Sequence, residues 1–459
     1  MKRPVGARIG LWLTGYTRTW LVLGIAIGVI AGLGAVVFLV LLQWTGRLLL
    51  EGVGGYTPPL ASGDGGGSGS DGFARWWAIP LVVAGGALLS ATLVARFAPE
   101  AQGHGTDAAI EAYHRDPRSI RVRAVVVKML SSALTIGSGG SAGREGPTAQ
   151  ISAGFGSLLT RWLNLPDGMG RIAVAIGIGS GIGAIFGAPL GGAVLSATVA
   201  YREDFEFRAL IPGLIASITA YGVFGSFLGY EPLFGFALRD YRFDDATHLV
   251  WFLVIGVLGG VVGLLYIRIF YGTAAVSTQL PGGRIVTPTI GGLLVGLLAL
   301  AVPQVLGSGY GWVQEALDRE SLLALPLWIV LTLPLLKIVA TSLSIGTGGS
   351  GGIFGPGMVI GGFVGAAVWR ILEPLVSSIP DSPAPFVVVG MMSCFGSAAR
   401  APLAIMVMVA EMTGGWAVLP GGMIAVAAAY LIVRSRDASI YRCQRRDRAE
   451  AAAERARQA

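Results

Sequence analysis

The chain has 459 residues, of which 53% are hydrophobic, and its formal net charge is +7. Only 13% are charged, about half the share of a soluble domain, so a soluble monomer, a disordered chain and a coiled coil are excluded. Glycine supplies 71 residues without a period of three, which excludes collagen. The cysteines Cys394 and Cys443 can form neither a disulfide framework nor a zinc site. The composition predicts an all-α, multi-pass membrane protein.

The two ends predict how the chain sits in the membrane. Lysine and arginine cluster before residue 19, and eight arginines follow residue 433. Because these residues favour the cytoplasmic side, both termini are predicted to be cytoplasmic, in the plasma (inner) membrane of a prokaryote. The expected units are an N-terminus at 1–19, a transmembrane domain at 20–434 and a basic tail at 435–459. These charges carry no interleaved aromatic residues, so nucleic acid is not an expected partner.

Apolar runs recur along the transmembrane domain, and several are too short to cross a bilayer. A spanning helix needs about 20 apolar residues, whereas residues 149–163 and 172–200 are short or interrupted by glycine and proline. Irregular backbone at membrane depth survives only where it is buried in protein or lines a cavity. The pattern predicts a helical bundle with re-entrant half-helices, and residues 51–75, rich in Gly and Ser, are predicted to form an outer loop.

A sequence repeat divides the domain into halves. Residues 128–147 read KMLSSALTIGSGGSAGREGP and residues 337–356 read KIVATSLSIGTGGSGGIFGP, aligned without gaps at an offset of 209. Ala188-Pro189-Leu190 is matched later by Ala401-Pro402-Leu403. We expect a first repeat at about 76–236 and a second at about 248–434. Duplicated halves are typical of transporters, whose binding sites lie between the repeats.

In both repeats a glycine-rich run precedes a proline and an apolar helix. Proline suits the first helical turn, and glycines let backbone N–H groups approach a ligand. A helix N-terminus carries about half a positive charge, so two converging starts can hold an anion without binding it too tightly. The alternative is close helix packing through small residues.

Glu145 lies at the predicted start of the helix in the first repeat, and Phe354 is its counterpart in the second. An intramembrane carboxylate is by default a functional hypothesis. Its charge would occupy the place that an anion requires, and protonation would vacate that place. The alternatives are an ion pair between Glu145 and Arg144 and a helix N-cap.

These motifs resemble the CLC family of chloride channels and chloride/proton exchangers. Gly143-Arg144-Glu145-Gly146-Pro147 is similar to its GREGP motif, Gly352-Ile353-Phe354-Gly355-Pro356 to its GxFxP motif, and Glu411-Met412-Thr413 also looks like the family. The resemblance implies inverted repeats, a homodimer in membrane lipid, chloride or another small anion as cargo, and neither cofactor nor metal. The short tail implies the prokaryotic type, without C-terminal CBS domains.

The same resemblance implies the site residues. Glu145 would be the gating glutamate, backbone amides of Ile353 and Phe354 would bind the anion, and Tyr441, with Tyr430 as a weaker candidate, would supply a hydroxyl. The full expected anion-binding set is Gly103, His104, Gly105, Gly143, Arg144, Gly146, Gly352, Ile353, Phe354, Gly355 and Tyr441.

Two departures from the family pattern bear on function. His104 replaces a serine of the family pattern, and it could act as a hydrogen-bond donor, a titratable group or a packing residue. Asp107 replaces a proline and could act as an N-cap. The position of the family's internal proton glutamate is occupied by Thr198-Val199, and Glu203 and Asp204 are expected in a solvated loop. Passive anion conduction is therefore predicted, with chloride/proton exchange by a non-standard internal route as the alternative.

An enzyme is the competing class of protein. Gly348-Gly349-Ser350-Gly351 fits the GxSG pattern of an intramembrane serine protease, but the three histidines all precede Ser350. A phosphate-binding GxxxxGK[ST] loop, which an ATP-driven pump would need, is absent from the sequence. The sequence thus predicts a transport protein rather than an enzyme.

Overall fold

The computed structural model describes residues 15–458 except 71 and 377. In this part of the chain the backbone forms eighteen α-helices and only isolated β-bridges. The helices are α1 Gly15–Gly46, α2 Ala78–Phe97, α3 Thr106–His114, α4 Val122–Gly137, α5 Glu145–Trp162, α6 Asp167–Phe186, α7 Pro189–Thr198, α8 Phe207–Leu228, α9 His248–Ser277, α10 Gly283–Ala301, α11 Tyr310–Leu317, α12 Arg319–Ala324, α13 Leu327–Thr341, α14 Phe354–Leu372, α15 Ala384–Ala398, α16 Pro402–Met412, α17 Leu419–Arg434 and α18 Arg448–Gln458.

Helix length separates complete spans from half-spans. Nine helical segments of the described chain are long and apolar enough to cross a membrane. They contain α1, α2, α6, α8, α9, α10, α13, α14 and α17, where π-helical turns extend α1 and α13 and a 3₁₀ turn precedes α17. In contrast, α3, α7, α11 and α16 contain 8 to 11 residues. At 1.5 Å per residue they reach about half of a hydrocarbon core of roughly 30 Å. The predicted all-α bundle with half-spanning helices is confirmed.

The order and packing of the helices repeat. Helices α2 to α8 are followed by a similar series from α10 to α17, and each series is preceded by a long helix. Helix α5 packs on α6 as α14 packs on α15, and α1 packs on α8 as α9 packs on α17. The two series touch where α2 packs on α10 and α7 on α16. The duplication seen in the sequence is therefore a duplication of structure.

The two glycine-rich runs meet at the centre of the molecule. Gly143 and Gly352 form an antiparallel bridge in which each amide donates to the other's carbonyl, at 2.8 and 2.7 Å. The two runs therefore pass each other in opposite directions, as inverted repeats require. This bridge places the starts of α5 and α14 side by side.

The paired lysines of the repeat have matching structural roles. Nζ of Lys128 donates to the carbonyls of Ala101 and Gly103 at 3.1 and 2.6 Å. Nζ of Lys337 donates to the carbonyls of Val305 and Gly307, at 2.9 Å each. Both side chains are fully buried, and the carbonyls satisfy donors that would otherwise be costly. Each lysine thus fixes the glycine loop that precedes a half-helix, α3 or α11.

The tail folds against the chain that follows α7. The tail forms helix α18, and Arg448 binds Asp204 at 2.9 Å. Glu203 pairs with Arg400, Arg434 and Arg446 at 3.1 to 3.2 Å, and the hydrogen bond from Arg446 holds the pKa of Glu203 below its usual value. The predicted surface loop is confirmed, since Glu203 and Asp204 lie in the segment between α7 and α8, and their carboxylates also anchor the tail.

Candidate functional site

Glu145 begins α5 and is fully buried between the repeats. Its Oε2 accepts a hydrogen bond from the Gly355 amide at 3.1 Å, and its Oε1 accepts a short one from the Tyr310 hydroxyl. Both donors belong to the second repeat, and Gly355 lies in the first turn of α14. The carboxylate therefore lies where α14 offers its positive end and unpaired amides to an anion.

Two of the predicted glycines are required by the position of this carboxylate. A Cβ on Gly143 would collide with Oε2 of Glu145, and a Cβ on Gly355 would collide with the Tyr310 hydroxyl. Larger residues at either position would displace the carboxylate or its donor. This close approach gives a specific reason for glycine at both places, beyond general helix packing.

Aromatic rings surround the carboxylate and continue towards the other end of the site. The Phe186 ring lies 6.1 Å from that of Tyr310 and 5.1 Å from that of Phe354. Phe354 then stacks on Phe395 at 4.3 Å, and Phe395 lies 6.5 Å from Tyr441. These distances join ring centroids. Phe354, the counterpart of Glu145, therefore provides an apolar lining between Glu145 and Tyr441.

Arg144 does not pair with Glu145. Its guanidinium binds Asp64 of the outer loop at 2.7 Å and lies 5.3 Å from the centre of the Tyr310 ring. Both charged side chains are largely buried, with exposed fractions of 5% and 14%. The proposed pair between Glu145 and Arg144 is therefore replaced by a contact that brings the outer loop to the site. A cavity of about 190 Å³ opens beside Asp64, Arg144 and Phe186.

His104 and Tyr441 define the opposite end of the site. Their rings lie 5.8 Å apart, and the buried Tyr441 side chain lies next to Thr106. Nε2 of His104 lies 3.2 Å from Oδ2 of Asp107. His104 also lines an open cavity of about 600 Å³, together with Phe270 and the loop after α13. Tyr430 instead donates to the Arg202 carbonyl, away from this ring cluster.

Asp107 is not an N-cap. Helix α3 begins one residue before it, at Thr106, so its carboxylate points out of the first turn. That carboxylate accepts hydrogen bonds from the amides of Arg442 and Cys443 at 3.2 and 3.1 Å. Asp107 therefore holds the loop that carries Tyr441.

The remaining predicted residues lie in the loops around these groups. Gly103 and Gly105 have positive φ, and the Gly103 amide donates to the Gly349 carbonyl at 3.0 Å. Gly146 packs against the His104 carbonyl. The Ile353 carbonyl accepts from the Tyr266 hydroxyl at 2.8 Å.

The internal position has no acidic side chain. Thr198 donates to the Val194 carbonyl of its own helix at 3.1 Å, and Val199 is 1% exposed. Neither side chain is an acid that gains or loses a proton near neutral pH.

Ser350 has a structural environment rather than that of a nucleophile. Its buried hydroxyl lies 2.9 and 3.0 Å from those of Ser131 and Ser132, and it donates to the Ala101 carbonyl at 3.2 Å. A catalytic serine needs a general base within hydrogen-bond reach. None of these partners is such a base.

Sequence reasoning missed Tyr310 and Asp64. A signal for Tyr310 was present, since residues 99–105 and 303–309 share the pattern PxxxGxG, which aligns Thr106 with Tyr310. Thr106 contacts Tyr441 at one end of the site, and Tyr310 contacts Glu145 at the other. Asp64 lies in a segment of low complexity, and the sequence around it carries no comparable signal.

Comparison with known proteins identifies the family. The model of the family described as "Voltage gated chloride channel" matches residues 86–434. The H(+)/Cl(-) exchange transporter ClcA of Vibrio campbellii is 31% identical over 352 residues, 74% of this chain and 73% of the relative. A protein of Ralstonia nicotianae, provisionally named as a ClcB-like chloride channel protein, is 30% identical over 374 residues, 80% of this chain and 85% of the relative.

Solved structures agree on the fold. The crystal structure of a slow cyanobacterial Cl⁻/H⁺ antiporter superposes with a TM-score of 0.76 at 24% identity, covering 92% of this chain and 96% of that one. The chain belongs to the voltage-gated chloride channel family, the CLC proteins. It is a membrane transport protein of a family that transports anions, rather than an enzyme.

Replacing Tyr310 by phenylalanine should weaken the hold on Glu145. The lost hydroxyl bond is charge-assisted and contributes about 1.5–3 kcal/mol, so chloride flux at neutral pH should rise by about 10-fold or more in proteoliposomes. In a Glu145→Gln background the same change should have no such effect, because the carboxylate charge is already absent. An equal rise in both backgrounds would show that Tyr310 does not act through Glu145.

Proposed function

We propose that the protein exchanges chloride for protons, with Glu145 as the group that both ions use in turn. The observation that carries this proposal is the position of its carboxylate, which binds the Gly355 amide and the Tyr310 hydroxyl. A carboxylate held by these donors competes directly with an anion for the start of α14. Because the Glu145 carboxylate and the anion cannot occupy this place together, anion entry depends on the charge of Glu145.

Protonation is the step that releases the gate. A neutral carboxyl group accepts hydrogen bonds more weakly than a carboxylate, so the bonds from Gly355 and Tyr310 weaken when Glu145 gains a proton. The side chain then leaves, and chloride takes its place at the same donors. When chloride departs, Glu145 releases its proton and returns. Release on the side opposite to uptake moves one proton across the membrane in each cycle, whereas release on the same side lets the gate work without net proton movement.

The remaining assignments belong to the same proposal. His104 and Tyr441 would bind the anion at the tail side, and Ile353 and Phe354 would offer amides at the start of α14. The domain and repeat boundaries, the cytoplasmic termini, the prokaryotic inner membrane and the homodimer are likewise proposed here. Support for exchange comes from the Vibrio campbellii relative, which is named an exchange transporter.

Passive conduction is the second candidate, and Val199 favours it. A buried aliphatic side chain at the position of the internal glutamate cannot receive a proton from the cytoplasm. A channel would still use Glu145 as a gate, without obligatory proton movement.

Proton movement against its gradient distinguishes the two functions. Proteoliposomes with the purified protein and an outward chloride gradient should take up protons as chloride leaves, against the proton gradient that this uptake builds. A pH electrode measures proton uptake while a chloride electrode follows efflux. Protein-free vesicles are the control. Chloride efflux without uphill proton movement would replace exchange by conduction, and the absence of anion flux would contradict both.

A further inference from the structure

A buried histidine, His114, lies next to Thr198-Val199, the position where the family carries its internal glutamate. Nε2 of His114, the last residue of α3, lies 2.8 Å from the carbonyl of Ala200, one residue beyond Val199. His114 is 3% exposed. Since a carbonyl only accepts, Nε2 carries the hydrogen and Nδ1 is the nitrogen with the lone pair.

His114 belongs to a cluster of titratable side chains from three segments. The Tyr113 hydroxyl lies 3.2 Å from the Tyr201 hydroxyl and donates to Oε2 of Glu206 at 3.2 Å. The His114 ring lies 4.9 Å from the Tyr113 ring and 5.3 Å from the Tyr201 ring, centre to centre. Both tyrosines are buried, whereas Glu206 is half-buried. The cluster therefore extends from partly exposed Glu206 to the buried backbone beside Val199.

The state of His114 suits proton acceptance. Burial disfavours the charged form of an imidazole, so the buried ring rests in its neutral form with Nδ1 unprotonated. Among the described residues Nδ1 has no hydrogen-bond partner, which is costly for a buried polar atom. An acceptor of this kind takes a proton briefly and passes it on.

The charges around the cluster are of both signs, and they come from every element packed on it. Arginines of α6 and of the tail oppose lasting protonation of the ring, and carboxylates of α3 and α18 offset them in part. The facing groups are Glu111, Arg171, Arg445, Arg448, Glu454 and Arg455.

A network of hydrogen bonds runs from the backbone at Val199 to Tyr441 at the proposed anion site. Nε2 of Gln444 donates to the Val199 carbonyl at 3.1 Å, and its Oε1 accepts from the Ser439 hydroxyl at 2.6 Å. The Ser439 oxygen in turn accepts from the amide of Tyr441 at 3.1 Å. Polar groups thus connect the backbone beside His114 with the tyrosine at the tail end of the pathway.

We propose that Glu206, Tyr113, Tyr201 and His114 form a proton relay that replaces the missing internal carboxylate. This inference rests on the proposed exchange. Glu206 takes a proton from water beside the tail and passes it to the Tyr113 oxygen, while the Tyr113 hydroxyl releases its own hydrogen to the Tyr201 oxygen. The Tyr201 hydroxyl then turns towards the neighbouring His114 ring and releases its own hydrogen to Nδ1, and His114 gives the proton up to water on the way to Glu145. Each step passes one proton, and no electrons are transferred.

Three conservative variants test the relay. Tyr113→Phe keeps the ring without the hydroxyl, Glu206→Gln keeps the shape without the acid, and His114→Gln keeps a donor for the Ala200 carbonyl without a basic nitrogen. Tyr430→Phe is the matched control, because this hydroxyl on the same side of the molecule bonds only the Arg202 carbonyl. Proton and chloride fluxes are measured together in proteoliposomes.

The relay variants should lower coupled proton flux by about 100-fold, the scale of losing a proton-transfer group, while chloride flux stays within a factor of about two, a change near RT. Retained chloride flux shows that a variant is folded. If His114→Gln loses chloride flux, the flux ratio of Tyr113→Phe tests the relay instead. Tyr430→Phe should keep the wild-type ratio of the fluxes. An unchanged ratio in the relay variants overturns the relay alone, whereas uncoupled chloride flux in the wild type overturns exchange itself.

Discussion

Replacing Glu145 by glutamine should abolish coupled proton movement and make chloride flux independent of pH. Glutamine keeps the size of the side chain but cannot gain or lose a proton, and its neutral amide competes less well with chloride for the amide of Gly355. We expect proton flux at the background of empty vesicles, a loss of at least about 100-fold, with chloride flux that persists. The measurement is paired proton and chloride flux in proteoliposomes between pH 4.5 and 7.5.

Glu320 provides the matched control for this experiment. It is an exposed carboxylate on α12, so Glu320→Gln removes the same charge without touching the site. A pH-dependent chloride flux that survives Glu145→Gln would mean that another group gates the pathway, even if proton coupling were lost.

Replacing Asp64 by asparagine should destabilise the protein. The change leaves the Arg144 guanidinium buried without its 2.7 Å partner. Breaking a fully buried pair costs about 3–5 kcal/mol, and the partial exposure of Asp64 lowers this to roughly 2–3 kcal/mol through solvent screening. We expect the apparent Tm in detergent, at a fixed scan rate, to fall by about 5 °C.

Two comparisons separate this effect from general surface charge. Glu100→Gln breaks the pair with Arg121, in which Arg121 is exposed and Glu100 is half-buried at 34% exposure, and should leave Tm nearly unchanged because such solvent-accessible pairs contribute about 0–1 kcal/mol. The double variant Asp64→Asn/Arg144→Gln should recover part of the loss, since no unpaired charge remains. Equal Tm values for Asp64→Asn and Glu100→Gln would contradict a buried pair.

The fold class and the place of the gate were predictable from the sequence because both leave local signals. Apolar runs interrupted by glycine and proline predict half-helices, and the repeated run that ends at Pro147 and Pro356 marks the two helix starts. Glu145 was conspicuous because it is a carboxylate within such a run. These inferences need only neighbours in the chain.

The partners of these residues were not predictable, since they come from distant segments. Tyr310 lies 165 residues beyond Glu145, and Asp64 lies 80 residues before Arg144. The N-cap suggested for Asp107 was a local explanation, whereas its carboxylate binds amides more than 330 residues away. The polar cluster beside Val199 likewise combines α3 with the segment before α8. Such contacts depend on how the repeats pack, which a pattern along one segment does not encode.

The proposed anion site lies beside the bridge between Gly143 and Gly352, at the seam between two halves of one chain. An anion bound there would be held only when the seam is closed, so chloride would also act as a ligand that stabilises the fold. Ligand bound only by the closed form stabilises that form by RT ln(1 + [L]/Kd), about 2.7 kcal/mol at 100 times Kd. Anion binding and folding are thus linked, so the free energy of unfolding should be larger in chloride than in a salt whose anion does not bind.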